Sequence, residues 1–380
     1  MHPEFFNHKE VPMERIGILT GGGDCPGLNA VIRAVVKTAA RRGWETIGFE
    51  GGFEGMLEPV DYRLLTARDL DGLLFRGGTI LGTSNRGRFA AKTGHGQVRR
   101  VPDEILAEAK ANFEGLGLRC LVVVGGDGSL TIAQQMFEAG IPVVGVPKTI
   151  DNDLEATLQT FGFDTAVACA VDALDRLHTT AASHNRVMVL ETMGRYAGWI
   201  ALHAGIAGGA DVILIPELPF NYESIVAKIK ERELNGKHFT IVIVAEGALE
   251  QGGNYTTAGA AAADREARLG GVANQVALEI ESRTGKETRS VVLGHLQRGG
   301  MPTAVDRQLC TRFGVSAVEL VDRRQYGQMV ALHPPEIIGV PILEAIGRLR
   351  TVPPDGEMVR TARALGISMG NELIDPGLTA

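Results

Sequence analysis

The feature that most constrains this 380-residue chain is a series of seven short apolar runs, rich in β-branched residues, each ending in glycine or polar side chains. They are IGILTGGGD from Ile16, CLVVVGGDGS from Cys120, IPVVGVPKTIDND from Ile141, RVMVLETMGR from Arg186, DVILIPE from Asp211, FTIVIVAEG from Phe239 and SVVLGHLQRGG from Ser290. Runs this short that stay apolar without alternation read as strands covered on both faces. Helical patterns lie between them. Val31, Ala34, Val35 and Thr38 share one helical face ahead of Gly43, and residues 304–321 follow Pro302 and Thr303, which suit a helix start. Strands alternating with helices give an α/β fold with mostly parallel sheets. Seven strands exceed one compact half, so the expected architecture is two similar three-layer (αβα) Rossmann-like domains with a cleft between them. In such sheets ligands bind beyond the carboxyl ends of the strands, where helix N-termini point their amides outward.

Charge and composition remove other classes. A formal net charge of −7 argues against nucleic-acid binding, so any anionic ligand needs a locally positive site. No apolar stretch approaches the roughly 20 residues of a membrane span, so no membrane partner is expected. The opening MHPEFFNHKEVPME carries acids and polar groups where a signal peptide would be apolar, which points to a cytoplasmic chain with a loose tail over residues 1–14. Cys25, Cys120, Cys169 and Cys310 have no CxxC spacing, so neither a disulfide framework nor a zinc cluster is expected, and they read as buried thiols. The Gly/Ala-rich segment 251–271 reads as an exposed loop or insertion leading into a helix.

The residues at the strand ends carry the chemistry. GGGDCPGLN, residues 21–29, lets backbone amides approach an anion at a helix N-terminus; it also reads as a turn that only solves a geometric problem. GGDGS, residues 125–129, adds the carboxylate of Asp127, able to bind Mg²⁺ beside phosphate oxygens or to cap a simple turn. PKTIDND, residues 147–153, is the strongest segment. If extended, it places Thr149, Asp151 and Asp153 on one face, and Lys148 supplies a cation beside them. Two adjacent carboxylates repel, which makes sense where a cation or a proton transfer compensates. Further along, Arg195 in ETMGR suits a migrating phosphoryl group, Glu246 suits sugar hydroxyls, and His295 with Arg298 in GHLQRGG suits a phosphate monoester. Taken singly, each also reads as a surface ion pair or a core-edge histidine.

In order and spacing, GGGDCPGLN, GGDGS, PKTIDND, ETMGR and GHLQRGG resemble the 6-phosphofructokinase family, from about Arg15 to beyond Gly300. GGDGS alone also resembles NAD kinases and lipid kinases, but those families do not continue with PKTIDND and the later arginine motifs. The resemblance implies Mg²⁺-dependent phosphorylation of the 1-hydroxyl of fructose 6-phosphate. It makes Asp151 the base, with Thr149 and Arg195 at the transferring group, and gives Asp127 and Asp153 to the metal. Gly22, Arg86, Gly126, Asp127, Gly128, Ser129 and Lys148 fall on the donor side. Thr149, Asp151, Asp153, Met193, Gly194, Arg195, Glu246, His295 and Arg298 fall on the sugar-phosphate side. Arg186 and Arg289 resemble two arginines donated by a neighbouring subunit, so a homo-oligomer, dimer or tetramer, is implied. The implied donor domain is residues 15–162 with about 297–348, and the sugar-phosphate domain 163–296 with about 349–380.

The family holds both ATP and pyrophosphate enzymes. Gly128 matches the ATP type, because an aspartate there would set bulk and charge against an α-phosphate. Lys148 is shared by pyrophosphate enzymes and some ATP enzymes, so it removes neither donor, and ATP is the expected one. A non-catalytic sugar-phosphate-binding regulator would have no need of a base. A nucleotide-dependent oxidoreductase would carry the dinucleotide glycine fingerprint, which is absent.

Overall fold

The structure, a computed structural model, describes residues 13–84, 87–89, 100–257 and 269–372. In chain order the elements are β1 (Arg15–Thr20), α1 (Leu28–Ala40), β2 (Glu45–Phe49), β3 (Tyr62–Leu64), α2 (Asp103–Gly115), β4 (Leu118–Gly125), α3 (Asp127–Glu138), β5 (Val143–Pro147) and α4 (Phe163–His184). There follow β6 (Val187–Thr192), α5 (Trp199–Ala207), β7 (Val212–Leu214), α6 (Tyr222–Leu234), β8 (Thr240–Ala245), α7 (Val272–Thr284) and β9 (Thr288–Val292). The chain closes with α8 (Ala304–Asp322), β10 (Gln328–His333), β11 (Glu336–Pro341), α9 (Ile342–Ile346) and α10 (Glu357–Ala364).

The strands form two sheets, ordered β11-β10-β5-β4-β1-β2-β3 and β7-β8-β6-β9. Pairing is parallel except at the rims β10–β11 and β2–β3. The α/β class with mostly parallel sheets is therefore as expected. On β4, Val122 and Val124 join one hydrophobic cluster while Leu121 and Val123 join another, so an unbroken apolar run does mean burial on both faces. β6 does the same, with Met188 and Leu190 on one side and Val187 and Val189 on the other. One cluster is continuous across both halves. It takes Ile16 and Val144 from the first sheet, Leu190 and Ile243 from the second, and Val31, Leu174 and Phe313 from α1, α4 and α8 between them.

Two expectations are corrected. The run from Ser290 is not covered on both faces: β9 is an edge strand paired only with β6 among the described residues, and Val291 and Val292 are exposed. β2, β3, β10 and β11 lie outside the seven runs because they sit at or near sheet rims or alternate in burial, which weakens an apolar signal. The helix expected over 304–321 forms as α8, with Thr303 as N-cap accepting from Asp306 N–H at 3.2 Å. Of the expected loop 251–271, residues 258–268 lie outside the described residues, and α7 follows it as expected. Residues 1–12 of the expected tail lie outside as well.

Candidate active site

The turn after β1 is built for close approach. Gly21 N–H continues the ladder to Val124 O at 2.9 Å, and Gly22 O accepts from the Thr83 hydroxyl at 2.6 Å. A Cβ on residue 23 would lie 1.9 Å from an Arg298 guanidinium nitrogen, so only glycine admits that arginine. Gly23 O also accepts from Lys148 Nζ. Lys148 is buried, and that burial foremost pushes its ammonium pKa down, with the Arg298 charge acting the same way. After β4, Gly126 caps α3, so Asp127, Gly128 and Ser129 form its first turn, where the helix's free amides cluster. Lys148 N–H donates to Gly125 O at 3.0 Å, which sets this turn beside PKTIDND. Arg86 lies outside the described residues.

PKTIDND differs in form from its expected extended path. Asn152 has φ 52°, and the segment turns there. Asparagine tolerates this left-handed conformation, and its side-chain oxygen is held by Thr160 N–H at 3.0 Å. Thr149 Oγ1 accepts from Asp151 N–H at 3.2 Å. Asp151 and Asp153 still interact, through the turn rather than through a shared strand face. Among the described residues Asp151 Oδ1 is buried without a hydrogen-bond partner. Desolvation pushes the Asp151 carboxyl up to about 7, reinforced by the charges of Asp153 and Glu246 and opposed by Arg298 and Lys148.

The second half closes the site from β6, β8 and the turn 294–298. Glu246 N–H donates to Thr192 O at 2.9 Å, and Gly247 N–H to Gly194 O at 3.3 Å. A Cβ on residue 247 would lie 1.9 Å from Arg195 O, so the ETMGR and AEG turns stack backbone on backbone. Arg195 lies 5.3 Å from the centre of the Tyr196 ring. The Glu246 carboxyl is also pushed up to about 7, chiefly by desolvation and then by Glu191, against Arg195 and Arg298. Arg298 thus faces Gly23, Asp151 and Glu246 together and is the cation that spans the cleft. Met193 is buried, whereas His295 is exposed on the turn.

Arg186 and Arg289 do not join this cluster. They flank the starts of β6 and β9, where Glu287 binds both, Arg186 Nε at 2.6 Å. The six residues of β6 separate that end from the ETMGR turn, about 20 Å at roughly 3.3 Å per residue.

The arrangement unites a glycine-lined helix N-terminus, paired acids and a spanning arginine at the carboxyl ends of two sheets. The family model described as phosphofructokinase matches residues 15–321. The chain belongs to the phosphofructokinase family. It is 54% identical over 360 residues to an ATP-dependent 6-phosphofructokinase of Chloroflexus aurantiacus, covering 95% of this chain and 99% of that one. It is also 51% identical over 343 residues to a pyrophosphate–fructose 6-phosphate 1-phosphotransferase of Amycolatopsis methanolica, covering 90% and 97%. A solved phosphofructokinase from Saccharomyces cerevisiae superposes with TM-score 0.75 at 30% identity over 93% of this chain, which spans 46% of that longer one.

Sequence reasoning passes over several buried or half-buried polar residues that hold these turns in shape. Asp306 on α8 accepts from Gly162 N–H at 3.0 Å and from Thr165 N–H at 2.9 Å, capping α4 from outside. Glu191 accepts from Ala273 N–H at 2.9 Å and caps α7. Glu217 accepts from Gly198 N–H at 3.0 Å and from Val352 N–H at 2.7 Å. Gln297 is fully buried between His295 and Arg298. The only sequence signal for any of them is a polar residue beside a motif, with nothing to say which helix it reaches.

Proposed function

We propose that the chain transfers the terminal phosphoryl group of ATP to the 1-hydroxyl of fructose 6-phosphate, yielding fructose 1,6-bisphosphate and ADP. The observation that carries this reading is the position of Asp151, buried beside the glycine turns and within electrostatic reach of Glu246 and Arg298. Asp151 takes the proton of the 1-hydroxyl. The freed oxygen attacks the terminal phosphorus, and the bond to the departing ADP oxygen breaks. Thr149 and Arg195 flank the moving group, and Arg195 meets its charge. The amides of Gly22, Gly126, Gly128 and Ser129 and the Lys148 ammonium hold the donor phosphates. Met193, Gly194, Glu246, His295 and Arg298 hold the sugar phosphate.

Asp127 and Asp153 offer carboxylate oxygens from neighbouring turns. Among the described residues no group of three or more His, Cys, Asp or Glu is placed as a complete metal cage. That suits Mg²⁺, which keeps most of its shell for water and substrate phosphates, so these two acids would hold it. Bound there, it would neutralise phosphate charge. The domain reading assigns residues 15–162 with about 297–348 to the donor and 163–296 with about 349–380 to the sugar phosphate. The pairing of β10 with β5 and the Ile213 N–H bond to Ser368 O at 2.8 Å support it.

Pyrophosphate is the second reading for the donor, supported by the 51% identical pyrophosphate relative, since Lys148 serves either donor. Assaying purified protein with fructose 6-phosphate, Mg²⁺ and either donor tests both. Faster bisphosphate formation with ATP is expected, and no bisphosphate from either donor refutes the function. A homo-oligomer completes the site, with Arg186 and Arg289 reaching a neighbour's sugar phosphate. The length of β6 between them and the ETMGR turn, the edge position of β9 among the described residues and the exposed Val291, Val292 and Leu296 support it. Arg186→Ser and Arg289→Ser are each expected to raise the fructose 6-phosphate KM about 10-fold or more, with a smaller change in kcat. Unchanged KM values in steady-state kinetics would remove both from the site. Among the described residues no helix is long and apolar enough to cross a membrane. The cytoplasm is the proposed location, supported by four free cysteines.

A further inference from the structure

The short 3₁₀ turn Gly294–Arg298 follows β9. With about three residues per turn, positions 295 and 298 lie on one face, and residue 297 points away from them. The burial follows that geometry: His295 is exposed, Arg298 half-buried, and Gln297 fully buried. The buried amide is engaged at both ends. Its Oε1 accepts from Met193 N–H at 2.7 Å, and its Nε2 donates to Ala166 O in α4 at 3.4 Å.

Met193 is the first residue past β6, and the last β6–β9 pair is Glu191 with Val292. Leu293 N–H still reaches Glu191 O at 3.0 Å, and then the backbone leaves the sheet. The Gln297 side chain thereby supplies the acceptor that a continuing strand would have offered to Met193 N–H. It fixes the start of Met193–Gly194–Arg195 from one side, while Gly247 holds the same turn from the other. Losing the acceptor would leave a buried N–H unsatisfied, which the turn can relieve only by moving.

We infer that Gln297 is a positioning residue that locks the Met193–Arg195 turn in register with His295 and Arg298, and so sets sugar-phosphate affinity without touching the substrate. This inference rests on the proposed kinase reading of the site.

The test compares the full-length protein with Gln297→Met, which keeps the shape and loses both hydrogen bonds, and Gln297→Glu, which keeps the acceptor. Wild type is assayed first, and its failure to phosphorylate fructose 6-phosphate would sink the kinase reading rather than this one. Given an active wild type, Gln297→Met is expected to raise the fructose 6-phosphate KM about 10-fold or more, with the KM for the donor within about twofold. Gln297→Glu is expected to recover most of that loss. A sugar KM within twofold of wild type in Gln297→Met overturns the inference. So does an equal loss for both substrates that tracks thermal stability, the mark of a general packing role. Hydrogen exchange on the unaltered protein gives a reading that does not depend on any variant folding. The Met193 amide should exchange slowly, and exchange at a free loop's rate overturns the assignment.

Discussion

Asp151→Ser is expected to lower kcat by about 10²-fold or more while leaving fructose 6-phosphate affinity close to that of the unaltered protein. A general base acts on the proton lost in the transition state, so its removal costs turnover more than ground-state binding. The carboxyl needs neighbours that leave it able to take a proton near neutrality. Desolvation, with Asp153 and Glu246, supplies this by pushing its pKa up to about 7. Below that pH the group already holds its proton and cannot accept another. The unaltered protein should therefore lose kcat/KM as pH falls through the neutral range. Asp151→Ser should lack the part of that acid limb due to Asp151, leaving whatever Glu246 contributes. Steady-state rates across pH measure both effects, and retained turnover in the serine variant would assign the base elsewhere.

Gly128→Asp is expected to cut ATP use by about 10³-fold and pyrophosphate use far less. Residue 128 lies in the first turn of α3, where the helix amides favour an anion. A carboxylate placed there occupies that position itself and opposes the α-phosphate, a group ATP has and pyrophosphate lacks. Two unit charges 4 Å apart at an effective dielectric near 20 repel by about 4 kcal/mol, close to a thousandfold in rate. The measurement is kcat/KM for each donor in both proteins. Unchanged ATP kinetics would mean that the donor's α-phosphate does not pass this turn. Sequence relatives cannot substitute for this measurement, because ATP and pyrophosphate enzymes stand at 54% and 51% identity to the same chain.

The parts of the fold legible in the sequence are those governed by local chemistry. Buried central strands such as β4 and β6 announce themselves as unbroken apolar runs, and each leads to a motif at its carboxyl end. β9 reads the same way yet lies at an edge, because a run of valines does not say whether a neighbour covers it. Asp151 and Asp153 are found together, but through a left-handed turn at Asn152 that alternation could not foresee. Least legible are the polar residues that act across the chain. Asp306 reaches back 144 residues to Gly162, the N-cap of α4, and Gln297 reaches back 104 residues to Met193. Such bonds depend on where the backbone returns, which no local pattern encodes.

Beneath the cleft, Val31, Leu174 and Phe313 belong to one apolar mass that also receives side chains from both sheets. One shared core thus joins the two sheets. Heating should melt them in a single step, and the adjustments that admit substrate fall to the turns above this keel.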